Sequence, residues 1–457
     1  MPYAGFRPLG NDAVMQDTSL WGELNVHDPA IIKDGQWYYV FSTDASLGNL
    51  HPLGIQIRRS KDLVTWEYRG AAFKDFEKDC AEPIAWSGLD PKKKEGLWAP
   101  DIIKEGNRYR LYFSASSFGS VDSCIGLAEA KNIEGPYTYK GMVVKSRSGD
   151  GGPNTIDPAL TSGADGKLYM AYGSFFGGIY IAELDRKTGF IKNNSEKPVK
   201  IAGGSHSAVE GAAIIYVKET DYYYLFVSYG SLSSNYNVRV ARSKNITGPY
   251  LDARGHDMNE LPKRGDEETG VKLLGGWDFS ISASAGGYKA PGHNSVFQED
   301  GEYFMVHHVR SYRLPDYWFY MNVRSFFINS FGWPVVMPHR YYGKKAGAAG
   351  SVSSVSIEGE YAFIEHGSDS NRYAHQSRII KLQGGSISGF EVPGTYHIYD
   401  KRRVKFDIEG KIYDGLWLEQ YDWEHDAWVT AFSAASEDGF CVWGTLLADS
   451  VSNNSDI

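Results

Sequence analysis

Acidic residues open closely related segments of the chain. The segment NVHDPAIIKDGQWYYVFST carries Asp28, and NTIDPALTSGADGKLYMAYGS carries Asp157, each followed by Pro-Ala and an aromatic-rich run. A third acid, Glu210, opens the related segment VEGAAIIYVKETDYYYLFVSYG. Two carboxyl groups beside a cavity suit glycosidic hydrolysis, because one protonates the leaving oxygen while the other activates water or attacks the sugar. These acids therefore indicate acid–base chemistry, provided that the fold brings them together.

The same segment plan occurs five times along the chain. The repeats lie at 27–42, 98–114, 156–174, 209–230 and 292–311. Each reads as a strand, a turn carrying Gly or Asp and a second strand rich in Tyr, Phe and Val, which predicts a β-hairpin. Further strand-like runs follow several of the hairpins, so each repeat is about four short strands. This order predicts a five-bladed β-propeller, whereas an unrelated set of hairpins in a sandwich would not repeat it.

A propeller would bring the repeated acids to one ring. Equivalent positions of successive blades surround the central axis, so Asp28, Asp157 and Glu210 are predicted to meet at one mouth of the channel, with His293 from the fifth repeat beside them. Three acids on one ring repel each other, so at least one pKa should be raised, which marks a functional site. Shared Asp-Pro turn chemistry is the alternative, and it explains one acid better than three. Asp101 lies two positions further into its hairpin and is predicted to be a structural turn partner.

The repeat pattern stops near the FGWP sequence that begins at Phe331. Residues 344–356 are small, polar and without periodicity, which is typical of a linker. Alternating strands without the repeat follow it. The predicted fold class is all-β, with a five-bladed β-propeller catalytic domain over 1–345 and a small C-terminal β-barrel or β-sandwich domain over 346–457. The aromatic residues of the second domain alternate with polar ones as in a half-buried strand, and no site is assigned to it.

Composition and charge exclude several functions. The formal net charge is −9, and no basic tract provides the electrostatic footprint of nucleic-acid binding. No apolar run approaches the length that spans a bilayer. The cysteines Cys80, Cys124 and Cys441 are far apart and form no CxxC pair, so neither a disulfide framework nor a zinc site is indicated. The first residues lack the regions of a signal peptide, which leaves a cytoplasmic protein or a removed leader.

As a set, the motifs HDPAII, WAPDIIK, TIDPAL, VEGAAI and GHNSV resemble glycoside hydrolase family 43, specifically its two-domain endo-α-1,5-L-arabinanases. The resemblance covers residues 20–340, and the C-terminal domain is similar to the β-barrel of those enzymes. It implies hydrolysis of internal α-1,5-L-arabinofuranosidic bonds with inversion. It also implies that Asp28 is the general base, that Glu210 is the general acid and that Asp157 tunes the pKa of the acid.

The family further implies that His293 binds Ca²⁺ or a similar ion in the channel, mostly through waters. Because calcium normally takes oxygen ligands, a structural hydrogen-bonding role for His293 stays open. The neighbouring His307 and His308 are predicted to lie in the core or to support the site.

Five further residues are candidates for contacts to the sugar. Trp98 and Phe118 are candidate stacking platforms for arabinose rings, because aromatic faces meet apolar sugar faces well. A packing role is equally open for Phe118. His27, Asn154 and Ser174 are candidate polar contacts, since each is adjacent to a predicted ring position.

Alternatives from two classes remain. An exo-acting arabinanase, an α-L-arabinofuranosidase or a β-xylosidase would keep the fold and the carboxyls, with the segment 252–289 blocking one end of the cleft. A non-catalytic glycan-binding propeller is less favoured, because it has no need of three clustered acids. The expected partner is a polysaccharide, with no nucleic acid and no membrane, and the chain is expected to be a monomer. Polymer degradation favours a secreted protein, while a cytoplasmic location stays open.

Overall fold

The structure is a computed structural model that describes residues 13–192, 197–260, 268–280, 287–343 and 356–447. Its regular elements are nearly all strands. The described helices are short, namely α1 (Phe76–Asp79), α2 (Ala81–Ser87) and the 3₁₀ turns Thr18–Leu20 and Pro91–Lys93. The fold is therefore all-β, as predicted.

Five antiparallel sheets follow one another along the first three quarters of the chain. Blade 1 contains β1 (Ala30–Asp34), β2 (Trp37–Ser42), β3 (Gln56–Ser60) and β4 (Glu67–Ala71). Blade 2 contains β5 (Trp98–Glu105), β6 (Arg108–Ala115), β7 (Ser123–Ala130) and β8 (Thr138–Ser146). Blade 3 contains β9 (Ala159–Ser162), β10 (Leu168–Tyr172), β11 (Ile179–Leu184) and β12 (Val199–Ala202). Blade 4 contains β13 (Val209–Val217), β14 (Tyr222–Tyr229), β15 (Asn237–Ser243) and β16 (Val271–Leu274). Blade 5 contains β17 (Trp277–Asp278), β18 (Tyr288–Glu299), β19 (Glu302–Ser311), β20 (Tyr320–Ile328) and β21 (Pro334–Val336). The predicted five-bladed propeller is confirmed.

The second strand of each blade is apolar on both faces because both faces are covered. In β2, Val40 and Phe41 point to opposite sides of the sheet, and both are fully buried. Phe41 packs with Leu111 of blade 2, whereas Val40 packs with Val306 of blade 5. The runs WYYVFS and YYYLFVSY therefore read as continuous apolar strands without alternation.

The N-terminal segment closes the ring against the last blade. The N–H of Asn25 donates to the carbonyl of Phe319, and the N–H of Met321 donates to the carbonyl of Glu23, both over 2.9 Å. The segment before β1 therefore pairs with the entry of β20. This pairing connects blade 1 to blade 5.

The C-terminal domain is a closed barrel, which decides between the barrel and the sandwich. Its strands are β22 (Gly359–Glu365), β24 (Arg378–Gln383), β25 (Ser386–Ser388), β26 (Gly394–Asp400), β27 (Arg403–Ile408), β28 (Lys411–Asp422), β29 (Ala427–Ser436) and β30 (Cys441–Leu446). A further strand, β23 (His375–Gln376), leaves the barrel and pairs in parallel with β17 of blade 5. The predicted domain boundary at 345/346 falls within residues 344–355, which lie outside the described residues.

Candidate active site

One backbone conformation recurs at the start of every inner strand. A left-handed φ occurs in or just before the inner strand of each blade, at Asp28 (+53°), Ala99 (+37°), Asp157 (+60°), Gly211 (+60°) and His293 (+44°). The strand register shifts next to this residue in β5, β13 and β18. A bulge of this kind turns a side chain away from the sheet. These five residues form the ring at the mouth of the channel, which we call the mouth ring.

The glutamate does not occupy the ring position that the sequence repeats predicted for it. Backbone conformation makes Gly211 the equivalent of Asp28 and Asp157, and Glu210 comes one residue earlier, level with His27. The longer glutamate side chain starts from a different backbone position. The prediction of one equivalent position for all three acids is therefore wrong, although the acids do converge.

Hydrogen bonds from backbone to side chain connect successive blades at the mouth ring. The N–H of a ring residue donates to a side chain at the end of the second strand of the preceding blade. The pairs are Ala99 with Thr43 Oγ1 (2.7 Å), Asp157 with Ser114 Oγ (3.0 Å), His293 with Ser228 Oγ (2.8 Å) and Asp28 with His308 Nδ1 (3.4 Å). The sequence analysis missed these partners, although Ser114 and Ser228 directly follow YF and FV and Thr43 follows VFS, which was a signal for them.

Blade 3 breaks this pattern. It has Gly173 where the other blades have a side chain, and a Cβ there would lie 2.3 Å from the carbonyl oxygen of Gly178. The N–H of Gly211 donates instead to Oδ2 of Asp157 over 3.3 Å. The missing side chain therefore occurs between blade 3, which carries Asp157, and blade 4, which carries Glu210.

Asp28 is held as a carboxylate. It is 8% exposed, and Oδ1 lies 2.8 Å from Nδ1 of His27 and 3.0 Å from Nδ1 of His293. Oδ2 accepts a hydrogen bond from Thr43 Oγ1 over 2.6 Å. Burial alone would raise the pKa of Asp28, but the two imidazoles outweigh it and hold the pKa well below its usual range. An ionised, oriented carboxylate can accept a proton from water.

Glu210 has a hydroxyl on each oxygen. Ser174 Oγ donates to Oε2 over 2.6 Å, and the Tyr236 hydroxyl donates to Oε1 over 2.8 Å. Burial raises the pKa of Tyr236 well above its usual range, so that the phenol stays neutral. A hydroxyl can accept as well as donate. The two partners therefore accommodate both the protonated and the ionised form of Glu210, as an acid that gives up its proton requires.

The carboxyl of Asp157 has a raised pKa. Burial, followed by the charges of Glu210 and Asp28, raises its pKa to about 8, although His293 opposes the shift. The expectation that one of the three acids has a raised pKa is met at this residue. Near neutral pH Asp157 carries a proton, which reduces the repulsion within the mouth ring.

His293 is the counter-charge of the site. Burial would lower its pKa, but the carboxylate of Asp28, together with the charge that Asp157 carries once it ionises, raises it to about 10. His308 is the opposite case, because burial and the nearby His27 hold its pKa well below its usual range. The rings of His27 and His308 stack with centroids 3.8 Å apart. His308 therefore supports the site as a neutral side chain, in agreement with its predicted supporting role.

Three side chains around Asp28 carry atoms that could bind a metal ion. Suitable atoms of His27, Asp28 and His308 lie within 4.8 Å of one another. Among the described residues, the Nε2 atoms of both histidines and the side-chain amide of Asn294 are buried without a hydrogen-bond partner. Two imidazoles and one carboxylate suit a transition metal better than calcium, and the set omits His293. These direct ligands do not by themselves fit calcium, so the ion at His293 stays a prediction.

Two of the predicted sugar contacts touch the carboxyls of Asp28 and Glu210. His27 bonds the carboxylate of Asp28, and Ser174 bonds Glu210. Asn154 is buried, and its Oδ1 accepts a hydrogen bond from Ser123 Oγ over 2.7 Å. The structure therefore gives each of these three residues a protein partner.

The two predicted aromatic platforms differ in exposure. Trp98 begins β5, is partly exposed and directly precedes the ring residue Ala99. Phe118 lies in the connection between β6 and β7 and is 88% exposed. Trp98 is therefore at the mouth ring, whereas Phe118 presents a free aromatic face on the loop that follows β6.

Asp101 has the structural role that the sequence indicated. Its carboxylate accepts hydrogen bonds from the N–H groups of Ile102 (2.7 Å) and Leu160 (2.5 Å). Burial raises its pKa to about 7. Asp101 therefore connects blade 2 to blade 3 and is not one of the converging acids.

A propeller with three carboxyls at one mouth defines a glycosidase of the β-propeller class. The chain belongs to glycosyl hydrolases family 43, whose model matches residues 22–334. A second model, a C-terminal lipocalin-like domain found with this family, matches residues 338–444. The resemblance stated from the motifs is confirmed.

Similar proteins cover nearly the whole chain. The extracellular endo-α-(1→5)-L-arabinanase of Thermotoga petrophila is 37% identical over 94% of both chains. The extracellular endo-α-(1→5)-L-arabinanase 2 of Bacillus subtilis is 33% identical over 95% of both. The crystal structure of the endo-1,5-α-L-arabinanase from Thermotoga petrophila RKU-1 matches with a TM-score of 0.83 and 35% identity, over 93% of this chain and 99% of that one.

A shorter solved structure matches about two thirds of the chain. The Cellvibrio cellulosa α-L-arabinanase complexed with arabinohexaose matches with a TM-score of 0.58 and 30% identity, over 69% of this chain and 96% of that one.

Within the described residues, no helix has the length and apolar character needed to cross a membrane.

Proposed function

We propose that the protein is an endo-acting glycosidase that cleaves internal α-1,5-L-arabinofuranosidic bonds of arabinan with inversion. The observation that carries the proposal is the difference between two acids at the mouth of the channel. Asp28 is held as a carboxylate, whereas Glu210 is bonded by two hydroxyl groups that can each donate or accept. The end-to-end similarity to endo-arabinanases supports arabinan as the substrate.

The carboxyls divide the reaction between them. Asp28 takes a proton from a water molecule as its oxygen attacks the anomeric carbon. Glu210 gives its proton to the glycosidic oxygen as that bond breaks. Each turnover leaves Asp28 protonated and Glu210 ionised, and both return to their starting states by exchange with solvent. Asp157 carries a proton next to Glu210, so its protonation state sets the charge that the acid experiences.

The proposed substrate contacts follow from exposure and partners. Trp98 and Phe118 offer aromatic faces to the sugar rings. His27, Ser174 and Asn154 remain proposed polar contacts, and the first two also orient the catalytic carboxyls.

The product profile on linear α-1,5-arabinan tests the proposal. Wild type should release a ladder of arabino-oligosaccharides early, and NMR of the first product should show the inverted anomer. Asp28→Asn and Glu210→Gln should lose activity by about 10²–10⁴-fold, the usual contribution of a general base or acid. The exposed Glu391→Gln is the matched control and should retain wild-type activity.

Other products would contradict the proposal. Arabinose alone from the start would establish exo-action, and no product together with retained binding would favour a glycan-binding propeller.

For the channel ion, we propose calcium near His293, held mostly through waters. Elemental analysis after dialysis should find about one calcium per chain in wild type and less in His293→Ala. A full complement in the variant would remove His293 from the ion site.

We further propose that the protein acts outside the cell and as a monomer. Both full-length relatives described above are named extracellular. Detection in culture supernatant tests the first statement, and light scattering on purified protein tests the second.

A further inference from the structure

A loop of the C-terminal barrel lies on the catalytic side of the propeller. Residues 366–374, which we call the barrel loop, connect β22 to β23. Nδ2 of Asn235 donates to the carbonyl of Ser370 over 2.8 Å. The next residue, Tyr236, donates to the carboxyl of Glu210. One chain position therefore separates a contact of the barrel loop from a contact of the catalytic acid.

Buried cations fix the barrel loop in place. Arg239 is fully buried, and its guanidinium donates to the carbonyls of Ser368 (2.7 Å) and Asp369 (2.9 Å). Nζ of Lys272 lies 3.5 Å from Oδ1 of Asp369, and Nε2 of His375 lies 3.2 Å from Oδ2. Two buried cations of blade 4, Arg239 and Lys272, thus bind a loop of the other domain. A loop held in this way has a defined position relative to the mouth ring.

The exposed side of this junction is aromatic. Tyr373 of the barrel loop is 66% exposed, although tyrosine has a large apolar face. Tyr312, in the connection that follows β19, is 38% exposed and donates to the carbonyl of Arg372. Tyr317 of the same connection is 54% exposed. β19 carries His308 beside Asp28 and ends at this connection, so the tyrosines lie at the end of blade 5 that faces the mouth ring.

We propose that the barrel loop extends the substrate cleft, and that Tyr373 together with Tyr312 stacks against arabinofuranose units beyond those held at the mouth ring. The inference rests on the proposed function. An endo-acting enzyme must hold a chain that continues past the cleaved bond. Arabinan carries no charge, so exposed aromatic faces suit it better than ion pairs do. Exposed apolar groups beside a reaction site mark a binding surface.

Kinetics on substrates of different length test this inference. For Tyr373→Ala we expect KM on long linear arabinan to rise about fivefold to tenfold, the scale of losing one aromatic contact in a binding surface. KM and kcat on arabinotriose should stay at wild-type values, because the short substrate does not reach the barrel loop. Tyr373→Phe keeps the ring and should restore the wild-type KM. Tyr399→Ala, which removes a 44% exposed tyrosine of β26, is the matched control and should leave both substrates unaffected.

Binding to a catalytically inactive protein gives a second readout. In a Glu210→Gln background, calorimetry with arabinohexaose should show about fivefold weaker binding once Tyr373→Ala is added. Equal binding, or the same loss on arabinotriose and arabinan, would overturn the inference. If wild type releases no arabino-oligosaccharides at all, the proposed function itself fails. If wild type does so and Tyr373→Ala shows the wild-type length dependence, only the role of the barrel loop fails.

Discussion

Asp28 depends on its histidine neighbours for its charge, and pH should reveal that dependence. The contact with His27 is one of the causes that lower the pKa of Asp28. We expect His27→Asn to raise this pKa toward its ordinary value. Because a general base must be ionised, the acidic limb of kcat/KM should move to higher pH, while the alkaline limb stays in place. A pH–rate profile between pH 3 and 9 measures this directly, and an unmoved acidic limb would contradict it.

Thr43 orients the same carboxylate from the other side. Its hydroxyl donates to Asp28 over 2.6 Å and accepts the N–H of Ala99 over 2.7 Å. Thr43→Val keeps the shape but removes both bonds, so we expect kcat/KM to fall about 10- to 100-fold, as misplacement of a reacting group does. Thr43→Ser keeps the hydroxyl and should recover most of the activity. Equal losses in the two variants would assign Thr43 a packing role only.

At the scale of elements, the bulge of β18 leaves no room for a side chain at Gly292. A Cβ at Gly292 would lie 2.0 Å from Cδ1 of Tyr236, the phenol that bonds Glu210. Gly292→Ala should therefore displace Tyr236, lower the free energy of unfolding by about 1–3 kcal/mol and reduce kcat. Gly152→Ala meets no atom within 4 Å and serves as the control. Thermal unfolding and arabinan hydrolysis measure the two effects, and an unchanged kcat in a destabilised variant would separate Tyr236 from catalysis.

The same bulges explain what the sequence could and could not predict. The repeated hairpins predicted five blades and the convergence of Asp28, Asp157 and Glu210, because strand periodicity and repeat order depend on local residues. The offset of Glu210 by one residue was not predicted, since the apolar pattern does not mark the position at which a bulge shifts the register. Tyr236 was missed because it lies in the connection between β14 and β15, outside the repeated hairpin, and only tertiary packing brings it to Glu210. The contact between the barrel loop and blade 4 was not predicted for the same reason.

At the scale of the molecule, the two domains share one hydrophobic core. Trp443 of β30 is fully buried, packs its ring 5.7 Å from that of Trp277 in blade 5 and donates from Nε1 to the carbonyl of Val336 over 2.6 Å. The guanidinium of Arg324 lies 5.2 Å from the same ring. A large apolar interface couples domains that would otherwise move independently. Propeller and barrel are therefore expected to unfold together.

Trp443→Ala tests this coupling. Loss of a buried tryptophan should cost about 3–5 kcal/mol, and calorimetry should show one transition that moves as a whole. Trp428→Ala, at a 39% exposed position of the barrel, should move the transition far less. Two separate transitions, of which the variant moves only one, would show that the domains unfold independently. The barrel loop would then be held by Arg239 and Lys272 alone, and its position at the catalytic face would not require the shared core.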